Sequence, residues 1–147
     1  MANLKDVLNK IKKDVQKSLE INVADMVKDK IVDHVSSDVY MQYTPSMYER
    51  KGFNDGLMDE RNMDVLKYGE CGIEIQNNTM DDGKNITEVV ATGEGYDFNK
   101  TNGYPDPPYS YQQPRNFMKN AKEEIKEKDL HTKELKKSLL NKGYKMD

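Results

Sequence analysis

The chain has no tryptophan, three phenylalanines and one cysteine in 147 residues. With no second thiol, Cys71 cannot close an intrachain disulfide, so the fold must hold without covalent staples. Hydrophobic residues make up only 35% of the chain against 33% charged. The length suits a single domain, 1–147, with a small core. Long apolar runs are also missing. No window approaches the ~18 apolar residues of a membrane span. The opening MANLKDVLNKIKK has no secretion-type apolar run. No membrane partner is expected, and the product is expected in a cytoplasm-like compartment. The three N-x-[ST] triplets at Asn77, Asn85 and Asn99 therefore read as loop composition, not glycosylation. An apolar fraction this low suits a protein that draws stability from neighbouring subunits.

Basic excess is lacking too. The formal net charge is −3, which argues against a nucleic-acid binder overall. The charge is uneven. Residues 44–114 hold 6 basic and 13 acidic side chains, whereas residues 115–147 hold 10 basic and 6 acidic. A chain acidic in the middle and basic at the end can pair head to tail with copies of itself, or the basic tail can be a solvated helix face.

Catalytic groups are sparse. The two histidines, His34 and His131, fall in expected helices and read as surface or satisfied structural residues. Cys71 lies in a turn with no nucleophile signature around it. Asp81-Asp82-Gly83 superficially suggests a calcium loop, but the twelfth position is Thr92, which cannot close one. Asp55, Asp59, Glu60 and Asp64 could cluster as in a nuclease, though nothing in their spacing fixes a geometry. Gly93-Glu94-Gly95 is too short for a dinucleotide fingerprint. The reading is a non-enzyme with no cofactor and no metal.

What is present is pattern. Residues 3–39 predict one long amphipathic helix. Leu4, Val7, Leu8, Ile11, Val15, Leu19, Val23, Met26, Val27, Ile31 and Val35 recur at spacings of three and four. Ile21 falls off this stripe, which marks Ser18–Asn22 as a place for a break. Such a helix spans roughly 55 Å at ~1.5 Å per residue and should project or pack against neighbours. Residues 40–62 follow as a loop punctuated by Pro45, Gly52 and Gly56. It is loaded with Tyr40, Tyr43, Met47, Tyr48, Phe53, Leu57 and Met58, which must fold back on the helix or form an interface.

Residues 63–92 predict a short antiparallel meander. Met63–Tyr68 is one strand, and Ile73 and Ile75 alternate with Glu74 and Gln76 in the next. Asp81-Asp82-Gly83-Lys84 is the strongest turn signal, with 86–92 as its partner strand. Residues 93–114, rich in Gly, Pro and Tyr, read as an extended docking arm, mobile in the free chain and laid against a neighbour after assembly. Residues 115–147 predict a closing helix, with Phe117, Ala121, Ile125, Leu135 and Leu139 as its stripe and Gly143 as its stop. The fold class is α+β: a small antiparallel sheet packed by a long N-terminal and a C-terminal helix, with long irregular aromatic and proline-rich loops.

Three blocks carry a resemblance. Tyr43, Pro45, Tyr48 and Arg50 form Y-x-P-x-x-Y-x-R, followed by Gly56-Leu57. Val89-Val-Ala-Thr-Gly-Glu-Gly-Tyr96 is the second, and Pro114-Arg115-Asn116-Phe117 the third. In this order the chain resembles the HK97 gp10-like group of phage neck and tail-completion (head-tail joining) proteins. It departs from the group at Lys51, where Arg or Thr is frequent, and at Asn116, which replaces a proline and should leave the helix start looser.

The resemblance implies a structural virion protein without catalysis. It would form a homo-oligomeric ring at the head-tail junction, six-fold rather than twelve-fold. It would contact neighbouring connector and tail proteins after assembly in the bacterial cytoplasm. Its structural and interface residues would be Tyr43, Pro45, Tyr48, Arg50, Leu57, Tyr96, Arg115 and Phe117. Arg50 is expected to bond backbone carbonyls or a carboxylate and pin its loop to the sheet. DNA would pass the channel without specific binding, and Asp55, Asp59, Asp81 and Asp82 are the expected lumen-facing acids. An adaptor, stopper or tail-terminator ring is an alternative within the class. A small DNA-binding accessory protein is the rival outside it, resting on the lysine-rich C-terminal helix.

Overall fold

The computed structural model describes residues 3–41, 50–94 and 114–145. The expectations for Tyr43, Pro45, Tyr48 and Tyr96, and for most of the docking arm, lie outside these residues. The fold is α+β as expected. A long N-terminal helix, two small antiparallel hairpins and a C-terminal helical pair surround one core. Among the described residues no helix is long and apolar enough to cross a membrane.

The helical backbone runs through residues 4–40. It comprises α1 (Leu4–Ser18), a π turn (Leu19–Val23), α2 (Ala24–His34) and a second π turn (Val35–Tyr40). Asn3 starts it by accepting the Asp6 N–H at 2.9 Å. Valine, leucine or isoleucine stands at every fourth position from Val15 to Val39. On a straight α-helix such a repeat drifts by about 40° per step. The wider i→i+5 turns rotate it back; Ile31, Val35 and Val39 end up in one core cluster, and Val23 is buried outside it. Ile21, the residue off the stripe, sits inside the first π turn and is half exposed.

β1 (Met63–Lys67) pairs antiparallel with β2 (Ile73–Asn77), Met63 opposite Asn77 and Lys67 opposite Ile73. The Asp81–Lys84 turn forms between β3 (Met80–Asp81) and β4 (Lys84–Asn85), with positive φ at Asp82 and Gly83 as a type I′ hairpin turn requires. The expected partner strand over 86–92 is instead a helix, α3 (Ile86–Thr92). Its caps overrule the strand preference of Val89 and Val90. The Asn85 side chain accepts from the Glu88 N–H at 3.1 Å, and Gly93, at φ 73°, closes the other end through Val89 O.

The expected single C-terminal helix is two, α4 (Phe117–Glu127) and α5 (Leu130–Asn141). Asp129 adopts a left-handed φ of 53° and reverses the chain between them. From Ile125 to Leu135 the stripe slips in phase by about 80° on a straight helix. The break repairs the slip. α4 buries Phe117, Ala121 and Ile125 beside α2, while α5 turns back onto α1 and the first π turn. There the Ser138 hydroxyl lies 2.8 Å from both Ser18 Oγ and Asn22 Oδ1. Gly143, at φ 97°, ends α5 as expected.

Candidate functional site

Four of the sequence-selected residues meet at one place, the C-terminal end of the long helix. The last carbonyls of a helix have no intrahelical partner, and its dipole favours cations there. Two arginines supply them. Arg50 Nη1 donates to Tyr40 O at 2.8 Å, and its guanidinium lies 4.5 Å from the centroid of the Tyr40 ring. Arg115 Nη1 donates to Val39 O at 3.4 Å. Arg115 is itself buried, and its N–H bonds Val90 O at 3.0 Å, tying the segment before α4 to α3. Arg50 does find a backbone carbonyl, but on the helix end rather than the sheet.

Beneath the arginines lies the core. Phe117 is fully buried and shares a cluster with Ile31, Val35, Val39, Leu57, Met58, Met63, Val90 and Ala121. Leu57 follows a glycine for a steric reason. A Cβ on Gly56 would sit 2.5 Å from Gly52 N, so only glycine allows the loop to close on itself. Asn116 does not loosen the start of α4. It caps it, its side chain accepting from the Lys119 N–H at 3.1 Å, and asparagine is among the best N-cap residues.

Asp59 departs from its expected role. It is buried, receives the Asp55 N–H at 2.7 Å and binds the Arg61 guanidinium at 2.6 Å. Those Arg61 and backbone N–H bonds hold its carboxyl well below the usual carboxylate range. It cannot line a channel, nor can it join Asp64, which bonds Asn78, in one open carboxylate cluster. Asp55, Asp81 and Asp82 are exposed. Among the described residues no group of three or more His, Cys, Asp or Glu side chains is placed to hold a metal.

Two polar assemblies were not legible as sites. The first is a buried knot around Asn77. Its Nδ2 donates to Leu57 O at 2.9 Å, and its Oδ1 accepts from the hydroxyls of Thr79 (2.6 Å) and Thr87 (2.9 Å). The N-x-T triplets were the visible trace of it. Asn77 pairs with Thr79 inside the first triplet, and the second supplies the Asn85 cap and Thr87.

The second assembly is the seam between α2 and α4. His34 Nδ1 lies 2.7 Å from Asp38 Oδ2, which also accepts from Asn120 Nδ2 at 3.0 Å. His34 Nε2 faces Glu124 Oε2 at 3.6 Å, and Lys30 Nζ approaches the same oxygen at 3.4 Å. Both ring nitrogens thus face carboxylates, which suits a clasp between helices. His131 is exposed, 3.9 Å from Asp129, and Cys71 is an exposed free thiol.

Two predictions arise here. Arg50→Ala is expected to lower unfolding free energy by about 1–2 kcal/mol, the loss of a charged hydrogen bond at a helix end. Urea denaturation checks this, and an unchanged midpoint would remove the clamp from the stabilising contacts. The seam gives the pH dependence. Burial pushes the Asp38 carboxyl up, but bonds from Asn120, His34 and Ser37 outweigh it and hold it below 3.8. The Lys128 bond, aided by Lys30, lowers Glu124 below 4.5 against its desolvation. Carboxyls depressed in the folded state stabilise it above their unfolded values. That contribution is lost as pH falls through the folded values, below about pH 4. Asp38→Asn should therefore flatten part of the acid decline in a pH series of melts. An acid limb identical to that of the parent would refute the assignment.

Among known proteins, the YomN family profile matches residues 3–141. The chain is 36% identical over 115 residues to the SPbeta prophage-derived uncharacterized protein YomN of Bacillus subtilis (strain 168), covering 78% of this chain and 74% of that protein. No solved structure matches.

Proposed function

We propose, from the premise that this chain belongs to the YomN family and is phage-derived, that it is a structural protein of a tailed-phage particle. It forms a ring in the neck or completes the tail at the head-tail junction. The observation that carries this reading is the convergence of Arg50, Leu57, Arg115 and Phe117, from two separate sequence blocks, at one helix end. Those blocks carry the resemblance to neck and tail-completion proteins, and here they build a clamp made of packing and backbone hydrogen bonds. Such a clamp gives a subunit one fixed shape from which loops can be presented to neighbours.

Mass spectrometry of purified particles of the encoding phage tests the reading. The chain should be present at about six copies per particle, the number a six-fold closed ring requires. Deleting its gene should leave filled heads and separate tails. A chain abundant in lysates but absent from intact particles would end the proposal. Salt-sensitive DNA retention by such a chain would favour an accessory DNA-binding role.

A further inference from the structure

The chain reverses between α4 and α5 without the residues that reversals ordinarily use. From Arg115 to Lys142 there is neither glycine nor proline. The turn falls on Asp129, whose φ of 53° is the left-handed conformation that a Cβ disfavours. Its side chain makes no capping bond to the start of α5. Straightened, the segment from Phe117 to Asn141 would be one helix about 38 Å long at ~1.5 Å per residue. Asp129 would then be helical four residues before Lys133, the favoured order for an ion pair along a helix.

What holds the reversal closed is the seat of α5. Its buried residues are Ser138 and Leu139, and it packs on α1 and the first π turn, where Ser18 and Val23 are buried. Beyond the Ser138 bonds to Ser18 and Asn22, Lys142 Nζ donates to Asp14 O at 3.1 Å and to Ser18 Oγ at 2.9 Å. Tyr144 Oη donates to Asp14 Oδ2 at 2.5 Å. All of these bonds run between residues 138–144 and residues 14–22. None involves α4 or the hinge, so an α5 from elsewhere satisfies them equally. Withdrawing α5 with nothing in its place would strip Ser18 of Ser138 and Lys142 and uncover Leu139, so the seat has to stay filled.

We infer that α5 exchanges between copies of this chain. The Lys128–Asp129 hinge opens, α4 and α5 become one continuous helix, and the α5 of one copy takes the seat on α1 and the π turn of another. The partner is a second copy because the segment that matches this seat, bond for bond, is α5 itself. Exchange keeps every docking contact and relieves the left-handed residue, at the loss of the α4–α5 contacts beside the hinge. A short, strained hinge between two helices is the arrangement that favours such swapping. The inference goes beyond the ring reading and does not rest on it.

Two measurements on the full chain test it. In the first, Ser18→Cys and Ser138→Cys are made in separate proteins, each with Cys71→Ser to remove the exposed thiol. The two are mixed at about 1 mM, the weak end of specific affinity, and oxidised. Exchange places position 138 of one copy beside position 18 of the other, so a disulfide-linked pair with one of each should form. Both positions are buried where α5 sits on its own copy. A single chain carrying both substitutions should close within itself when dilute, since the two hydroxyls lie 2.8 Å apart.

The second measurement is sedimentation of two hinge variants at an exposed position. Asp129→Gly accepts the left-handed turn and should hold the closed monomer. Asp129→Ala favours the straight helix and should dimerise on the order of 10-fold more tightly or better, because two hinges open in each reciprocal pair. No mixed link under conditions where the doubly substituted chain closes internally would overturn the proposal. So would an alanine variant that stays monomeric to about 1 mM, or glycine and alanine variants that associate equally. Where the cysteines unfold the chain, the hinge variants decide alone. Absence of the chain from particles would count against the ring reading only.

Discussion

Replacing Phe117 by alanine is expected to lower the unfolding free energy by about 3–5 kcal/mol, the range for emptying a buried aromatic site. The ring is fully buried and central to the only core cluster of the described residues, touching elements from the long helix to α3. Little can collapse into the space, because Val35 and Ile31 are held by the helix and Met63 by the β1–β2 ladder. A domain of this size has about 5–15 kcal/mol in total, so the variant should be partly unfolded near physiological temperature. Phe117→Leu keeps most of the volume and should lose far less. Urea denaturation of the three proteins decides it. A loss under about 1 kcal/mol for the alanine variant would mean that the core can relax around the hole.

The second large effect is expected at Asn77, which is 4% exposed. Asn77→Ala removes the donor to Leu57 O and the acceptor shared by Thr79 and Thr87. Thr79 retains a weaker bond to Gly56 O at 3.3 Å. The Leu57 carbonyl is left in an apolar setting, and unsatisfied buried groups cost about 1–3 kcal/mol each. A total loss of about 2–4 kcal/mol follows on that scale.

Asn77→Asp separates the two roles of the amide. The carboxylate still accepts from the threonines but faces the Leu57 carbonyl with no proton to offer. Burial and that carbonyl raise the folded-state pKa of the introduced group. Its protonated form therefore favours folding, and the deficit relative to the parent should shrink as pH falls through that raised value. A deficit that grows on acidification would refute the donor role.

Much of the architecture was legible because periodicity reports burial directly. The long helix, β1, β2, the Asp81–Lys84 turn and the Gly143 stop stand where the pattern puts them. Residues 86–92 misled because Val89 and Val90 favour strands, whereas the decision lay in the capping pair Asn85 and Glu88 and the stop at Gly93. The single closing helix failed for a related reason. The phase slip between Ile125 and Leu135 was visible, but a helix can tolerate one unless the fold gives each half a different surface to cover. At the helix-end clamp, Arg50, Leu57, Arg115 and Phe117 were legible as motif members. Their meeting point was not, since it depends on helix-end carbonyls that any sequence possesses. The Asn77 knot was hidden because asparagine and threonine also abound in solvated loops, and only burial distinguishes the two cases.

The π turn at Leu19–Val23 has a directional consequence. It accommodates an extra residue at a point where everything C-terminal is fixed by the core and everything before Lys12 is free. Removing one residue there would restore ordinary α-helix with the two flanks close to their present phase, because an i→i+5 turn winds its extra residue into nearly the rotation of an i→i+4 turn. The turn therefore absorbs a residue without re-aiming the free end, whereas one residue removed from the straight part of α1 between Ile11 and Ser18 would swing Leu4, Leu8 and Ile11 around the helix axis by about 100°.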